Sequence, residues 1–399
     1  MTRMDKDKLN YHKGSKNKLI TLIHTTGIIP YKSLRHLAPP TKYQRAVRAM
    51  VEDGTVKVES VDIEKRRKEK IVSLRIESRQ IEKYEDFVDQ CHKDYYKTYG
   101  TRNYWKTTCG NTADITKAIK DADAQIYLYA CGYKIGPDKK DMTMDFLGKN
   151  ESSFYISREI KKIDGYSDGK NSKKITASRA TGVLLTGGGN YIVYNLGDRI
   201  IEWKRFSEVK FSTYINELVR NKSEIEYEAK MKKEAIILAT NNNVFNQICS
   251  LNYSQNKSYK VTLMNIDYVY DYVYSVPEDD NGKVLLKIMG IPAWKYKIKN
   301  RYLKHDDIEN QKFTSIPCDG YDKEKDVYIL MFCIPDLVKL KSFCARANLE
   351  GNKNKYKILC YNHQIPLVVS LVGKNATIMS IDVKQLYNKC FGEKEINSG

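Results

Sequence analysis

The sequence predicts a mixed α+β block at the N-terminus followed by a larger α/β domain. Three observations carry this expectation. Apolar residues between positions 16 and 51 recur three and four apart, and after Gly54 they alternate with polar ones. Beyond residue 123, short strand-like runs take turns with helical ones. Charge is also uneven: the 399 residues carry 68 Lys and Arg against 49 Asp and Glu, and residues 1–80 hold 19 of the basic and 9 of the acidic side chains. The expected division is a first domain over 1–80, a helical linker over 81–122 and an α/β domain over 123–399, itself divisible near 225–235.

Within the first block, Leu19, Ile20, Leu22 and Ile23 mark a helix over 16–26 that stops at Gly27. Pro30 suits the first turn of a second helix, PYKSLRHL, which ends before Pro39-Pro40. Thr41 is the expected N-cap of a third, TKYQRAVRAMVED, with Gly54 as its stop. Two alternating strands, TVKVES and KIVSLRI, then flank the basic stretch VDIEKRRKE. Three helices followed by such a hairpin make a winged helix-turn-helix. Residues 81–121 carry helical spacing and end in a further helix, NTADITKAIKDA. Thereafter AQIYLYA, SSFYISREI, TGVLLT, NYIVYN, RIIEWK, AIILAT, YKVTLM, KYKILCY and ATIMSI read as strands. SEVKFSTYINELVRN, NVFNQICSL, PDLVKLKSFCARA and PLVVSLV read as helices between them.

No run approaches the roughly 18 apolar residues that cross a bilayer, and the charged N-terminus has no apolar stretch behind it, so a cytoplasmic protein with no membrane partner is expected. Nine cysteines, odd in number and without a C-x-x-C pair, fit free thiols in a reducing compartment. The six histidines never fall at zinc-ligand spacing. Part of the lysine excess reflects AT-rich codon usage, since Asn, Ile and Tyr are abundant too. A formal net charge of +19 nevertheless points to an anionic partner, with double-stranded DNA foremost. The third helix would enter the major groove, with Ala46, Val47, Met50 and Val51 facing inward and Tyr43 placed with both that face and the contact set. The expected contacts are Lys42, Tyr43, Gln44, Arg45 and Arg48 on the helix, and Lys65, Arg66, Arg67 and Lys68 at the wing tip against phosphates. A winged helix used for protein contact is the alternative.

Absent motifs prune the chemistry. There is no G-x-x-x-x-G-K-[ST] phosphate loop, no His-hydrophobic-His pair, and no histidine followed three residues on by arginine. Gly187-Gly188-Gly189-Asn190 lies between two strand-like runs with no helix after it, which favours a hairpin turn over a phosphate cradle. The Tyr268, Tyr270, Tyr272 and Tyr274 stripe reads as one face of a strand. One constellation has catalytic shape. Pro137-Asp138 is followed by Glu159-Ile160-Lys161, the spacing of a PD-(D/E)xK nuclease, in which Asp138 and Glu159 would hold Mg2+ and Lys161 would orient the attacking water. Strand alternation would put Glu159 and Lys161 on one face. Asp198 with Glu202 and Lys204 is a rival with a shorter gap, and E-x-K recurs at Glu208 and Glu228. Charged residues on an open sheet face are the plainer reading.

The helix-and-wing block 16–76, the stretch SREIKK leading into SRATGVLLTGGGNYIVYNLGDRIIEWK, and the late strand KILCYNHQIPLV together resemble the replication-relaxase family and related winged-helix proteins of conjugative elements and plasmids in low-GC Gram-positive bacteria. The resemblance implies a DNA-binding protein of a mobile genetic element, acting in plasmid replication or conjugation, with a restriction-endonuclease-like second domain. It carries the nuclease motif onto Asp138, Glu159 and Lys161, although Asp138 lies in the lysine-rich turn GPDKKD with no clear strand around it. Partners would be DNA, a second copy of the chain and other replication or conjugation proteins. Two alternatives stay open: a Mg2+-dependent nicking endonuclease targeted by the winged helix, and a transcriptional regulator whose α/β domain senses a ligand.

Overall fold

The structure, a computed structural model, describes residues 3–63, 67–75, 94, 112–139, 152–160, 178–198, 205–222, 232–250 and 266–392. They form helices and three β-sheets in a mixed α+β arrangement. The chain falls into two units, Met1–Tyr166 with Thr181–Val183 and Ser167–Ala180 with Leu184–Gly399. No helix among the described residues is long and apolar enough to cross a membrane.

In the first unit, helix α1 (Arg3–Thr26) buries Leu19, Ile20, Leu22 and Ile23 and ends on Gly27 at φ 80°. It starts well before position 16, because the Lys- and Asn-rich turns ahead of Leu19 carry no apolar stripe to mark them. Strand β1 (Ile29–Pro30) is only two residues long and escapes sequence reading. The predicted second helix is a short 3-10 segment, Tyr31–His36. Helix α2 (Pro40–Glu52) has Pro39, not Thr41, at its N-cap and Pro40 in its first turn, and Gly54 at φ 78° follows it. The Lys16 ammonium lies 2.8 Å from Asp53, just past the end of α2.

Strands β2 (Val56–Ile63) and β3 (Arg67–Leu74) form the expected hairpin, in register from Val56 opposite Leu74 to Ile63 opposite Arg67. Strand β1 pairs with the outer edge of β3, giving the order β1-β3-β2. Helix α3 (Thr112–Ala130) then lays Ala118, Ile119 and Ala122 against Ile28 and Ile71, with Val61, Ile63 and Ile115 at the margin. The run AQIYLYA, expected as a strand, is the last part of this helix. Ala124, Ile126, Tyr127 and Leu128 are all fully buried, and an element buried all round leaves no periodicity to tell helix from strand.

A buried polar cluster joins α3 to the 3-10 segment. Ser33 Oγ donates to Asp123 Oδ1, and His36 Nε2 lies 3.7 Å from the same oxygen with its ring edge-on to Tyr127. Burial alone would raise the Asp123 carboxyl, but His36, Lys32 and Ser33 outweigh it and hold it at about 2, below the usual 3.8.

Strand β4 (Ser153–Ile156) is followed by one helical turn, α4 (Ser157–Ile160), where a single continuous strand was expected. At the break Ser157 donates both its N–H and its hydroxyl to the Thr181 carbonyl, at 2.9 and 3.0 Å. Gly182, in strand β5 (Gly182–Thr186), lies so close to the Tyr155 carbonyl and the Phe154 ring that a Cβ has no room.

In the second unit, strands β6 (Gly189–Gly197), β7 (Glu234–Ala239) and β8 (Tyr272–Pro277) run parallel in sequence order. Their crossovers include α5 (Arg205–Lys222), α6 (Asn242–Ser250) and the single turn α7 (Ile266–Val269). Of the tyrosine stripe, only Tyr272 and Tyr274 lie in a strand. Helices α8 (Asp280–Met289), α9 (Trp294–Tyr302) and α10 (His305–Asn310) lead to a second sheet. It contains β9 (Gly320–Asp322), β10 (Val327–Met331), β11 (Tyr356–Tyr361) and β12 (Thr377–Ile381), in the order β12-β11-β10-β9. Strands β10, β11 and β12 are parallel and β9 is antiparallel to β10. Helices α11 (Leu337–Glu350), α12 (Ile365–Val372) and α13 (Val383–Phe391) follow the parallel strands in turn, so this is a β/α alternation.

The Gly187-Gly188 turn between β5 and β6 packs on the segment after α8. Thr186 Oγ1 accepts the Gly188 and Gly189 N–H groups at 3.1 Å each, so these donors are not offered to a phosphate. Tyr191 hydroxyl contacts the Gly188 and Met289 carbonyls at 3.1 and 3.2 Å, and Trp294 Nε1 donates to Tyr191 at 3.0 Å. A Cβ at Gly188 would run into the Met289 carbonyl and lie 2.8 Å from the Ile291 carbonyl.

Gly188→Ala should therefore lower stability by about 1–3 kcal/mol, the usual cost of forced overpacking, read as a lower melting temperature. An unchanged melt would show that the turn is not clamped. The Asp123 carboxyl predicts an acid limb. Its folded value is depressed, so the folded state binds fewer protons than the unfolded chain between about 4 and about 2; its contribution is complete above that window and is lost as pH falls through it. Denaturation across that range should show the loss, and Asp123→Asn should flatten it; identical acid limbs in the two proteins would remove Asp123 from the account.

Candidate nucleic-acid interface

The amphipathic split of α2 sets which side chains can leave the protein. Tyr43, Ala46, Val47 and Met50 recur at helical spacing and are each at most 4% exposed. Packing that face inward leaves Arg45 and Arg48 exposed, one turn apart, with Lys42 and Gln44 half-buried beside them. Neither Arg45 nor Arg48 takes part in an ion pair among the described residues. Tyr43 is the exception among the helix residues expected to face DNA. Its ring lies in the core, with the Lys18 ammonium 6.0 Å from its centre, so it supports the helix and cannot reach a base edge.

The hairpin has two unlike faces. Val61, Ile63 and Ile71 turn toward α3, while cross-strand register pairs Ser60 with Lys70 and Asp62 with Lys68 on the other face. Arg67, Lys68 and Lys70 are exposed, and they start β3 instead of lying in the connecting loop. Lys65 and Arg66, in the connection 64–66, lie outside the described residues. Lys70 was missed by the sequence reading, which looked only for the basic tip; alternation from Lys68 was the signal that could have found it.

The predicted metal site is differently arranged. Asp138 ends a 3-10 turn (Gly136–Asp138) and is exposed, whereas its neighbour Lys139 points inward. Lys139 Nζ lies 2.5 Å from Glu159 Oε1, 3.1 Å from the Phe154 carbonyl and 4.2 Å from the centre of the Tyr155 ring. Glu159 Oε2 accepts the Ile156 N–H at 2.7 Å. Both carboxylate oxygens are thus engaged in a pair at most 1% exposed, and Glu159 stands in a helical turn, not on the strand face that alternation required. Magnesium keeps several waters and near-octahedral oxygen ligands, and these residues as placed do not fit it. Burial pushes the Lys139 ammonium below its usual value, against the pull of Glu159.

Lys161 lies outside the described residues, as do Glu202, Lys204 and Glu228 of the rival E-x-K runs. Asp198 is exposed at the end of β6. Glu208, from another such run, is buried in the second unit. Its carboxylate accepts from Ser178 Oγ at 2.8 Å, the Arg179 N–H at 2.8 Å and the Tyr194 hydroxyl at 2.6 Å, and Tyr194 meets the Tyr270 hydroxyl at 2.5 Å. Burial raises its carboxyl, and these three donors only partly offset that. It is a structural junction between α5, β6 and the start of β8.

Removing one partner of a buried ion pair strands the other. Lys139→Met should cost about 3–5 kcal/mol, and the double change Lys139→Met/Glu159→Gln should recover much of that loss in a double-mutant cycle. Equal stability of the single and double variants would show that the two groups are not coupled.

In comparisons with known proteins, the chain matches no family model, no curated protein and no solved structure.

Proposed function

We propose that the N-terminal block is a winged helix-turn-helix that binds double-stranded DNA, with α2 in the major groove and the β2–β3 hairpin against the phosphate backbone. The observation that carries this reading is the outward face of α2, where Arg45 and Arg48 stand exposed over a helix whose opposite face is fully packed. Two further features support it. The order β1-β3-β2, with β1 inserted between the first helix and the 3-10 segment, is the strand arrangement a wing needs to be joined to the helical core. Lys68 and Lys70 share the hairpin face that α3 leaves open. Arginine at such a position reads guanine bidentately, and lysine on the hairpin neutralises phosphate without reading sequence. By its resemblance, the target would be an origin of replication or transfer on a mobile element.

A fluorescence-anisotropy titration of the full chain on the DNA upstream of its gene, at two salt concentrations, tests this. Arg45→Ala and Arg48→Ala should each weaken binding by about 1–3 kcal/mol if they reach base edges. Lys68→Ala and Lys70→Ala should weaken all sequences alike and lower the salt slope by about 0.9 for each phosphate left unneutralised. Undiminished affinity in an Arg45→Ala/Arg48→Ala double variant would overturn the proposal.

A further inference from the structure

The second unit contains a cavity of about 240 Å³ between the ends of parallel strands of its two sheets. It opens at the carboxyl ends of three strands: Pro277 ends β8, Tyr361 precedes Asn362 and His363 after β11, and Ile381 ends β12. This is the edge at which parallel α/β sheets hold ligands, since side chains from several strand-to-helix turns converge there. His363 is fixed at the cavity by its Nε2, which donates to the Ser275 carbonyl at 2.9 Å.

The lining selects the sign of the ligand. Pro277, Ile381 and Val383 form a buried apolar floor, and no lysine or arginine lines the cavity, although the chain as a whole carries +19. The polar wall consists of Asp279, Asp382, His363 and the carboxamides of Asn281 and Asn362. Helix N-termini ordinarily favour anions, but here each is capped by a carboxylate: Asp279 accepts the Asn281 and Gly282 N–H groups at 2.9 Å each, and Asp382 Oδ1 accepts that of Gln385 at 2.8 Å. Asp382 Oδ2 has no hydrogen bond among the described residues. With its Nε2 hydrogen committed to Ser275, the neutral His363 ring offers Nδ1 as an acceptor. Burial lowers the His363 pKa, so the neutral ring is the form favoured near neutral pH. Two carboxylates and an imidazole acceptor over an apolar floor call for a positively charged hydrogen-bond donor. The volume falls below the roughly 300–1,000 Å³ of drug-sized sites, so that donor is small.

We propose that this cavity binds a small organic cation carrying a primary ammonium group. The proposal is independent of DNA binding and can be tested without DNA. Calorimetric titration of the full chain with putrescine, at constant ionic strength, should give one saturable site per chain. Asp382→Asn and Asp279→Asn keep the capping oxygen while removing the charge, so the helices stay capped and affinity should fall about ten- to hundredfold, as expected for losing a charged hydrogen bond. Asn281→Leu, at an exposed position on the rim, should occlude the cavity and abolish binding even if a cap variant folds poorly. Parallel titrations with magnesium chloride and sodium phosphate identify the other occupants. No saturable putrescine binding, putrescine binding unchanged in all three variants, or saturable binding of magnesium or phosphate alone would each overturn the proposal.

Discussion

The hairpin depends on α3, which buries one of its faces. A two-stranded ribbon is marginal in water by itself; β1 adds only two residues of pairing, and without α3 the side chains of Val61, Ile63 and Ile71 would lose the helix they pack against. Ala118, Ile119 and Ala122 supply the opposing surface. Everything proposed for the first unit depends on this contact. It covers the face carrying Val61, Ile63 and Ile71, and so leaves Lys68 and Lys70 on the open one. The same helix supplies Asp123 to the 3-10 segment, so one element braces both the hairpin and the turn that precedes α2.

Buried charge is used throughout as a fastener. Lys139 with Glu159, Asp123 with Ser33 and His36, and Glu208 beneath Ser178 and Tyr194 each join segments distant in sequence. Isolated charges at such depth would be strongly unfavourable, and each survives because nearly every polar atom is answered. Such pairs add little net stability, since an apolar filling of equal volume is often as stable, but removing one partner alone is costly.

What the sequence made legible follows from where its patterns are one-sided. Helix α2 and the β2–β3 hairpin each have one wet face, so their periodicities were plain and the exposed positions of Arg45 and Arg48 followed, whereas Arg67 and Lys68, expected in the loop, begin β3. Where both faces are buried the pattern vanished, which is why AQIYLYA was expected as a strand although it ends α3. Short elements failed for another reason. Strand β1 has two residues, and its identity comes wholly from pairing with Ile71 and Val72. The break after Ile156 had no local signature either: the groups that meet Ser157 there come from Thr181, twenty-four residues away. The Asp138 and Glu159 spacing was real as a pattern, but one lysine of a KK pair turned inward and occupied the carboxylate. Asp279, His363 and Asp382 are far apart in sequence, and only the meeting of two sheets puts them round one cavity.

The tether between His363 and the β8 backbone bears on how the second unit can vary. Its acceptor is the Ser275 carbonyl, which every residue type possesses, whereas its donor is a particular ring. Replacement at position 275 by any side chain that fits leaves the link intact, while replacement at 363 removes it. The two ends of one hydrogen bond are thus unequally exposed to mutation. In a family of such chains, drift would be readable at the first position and costly at the second.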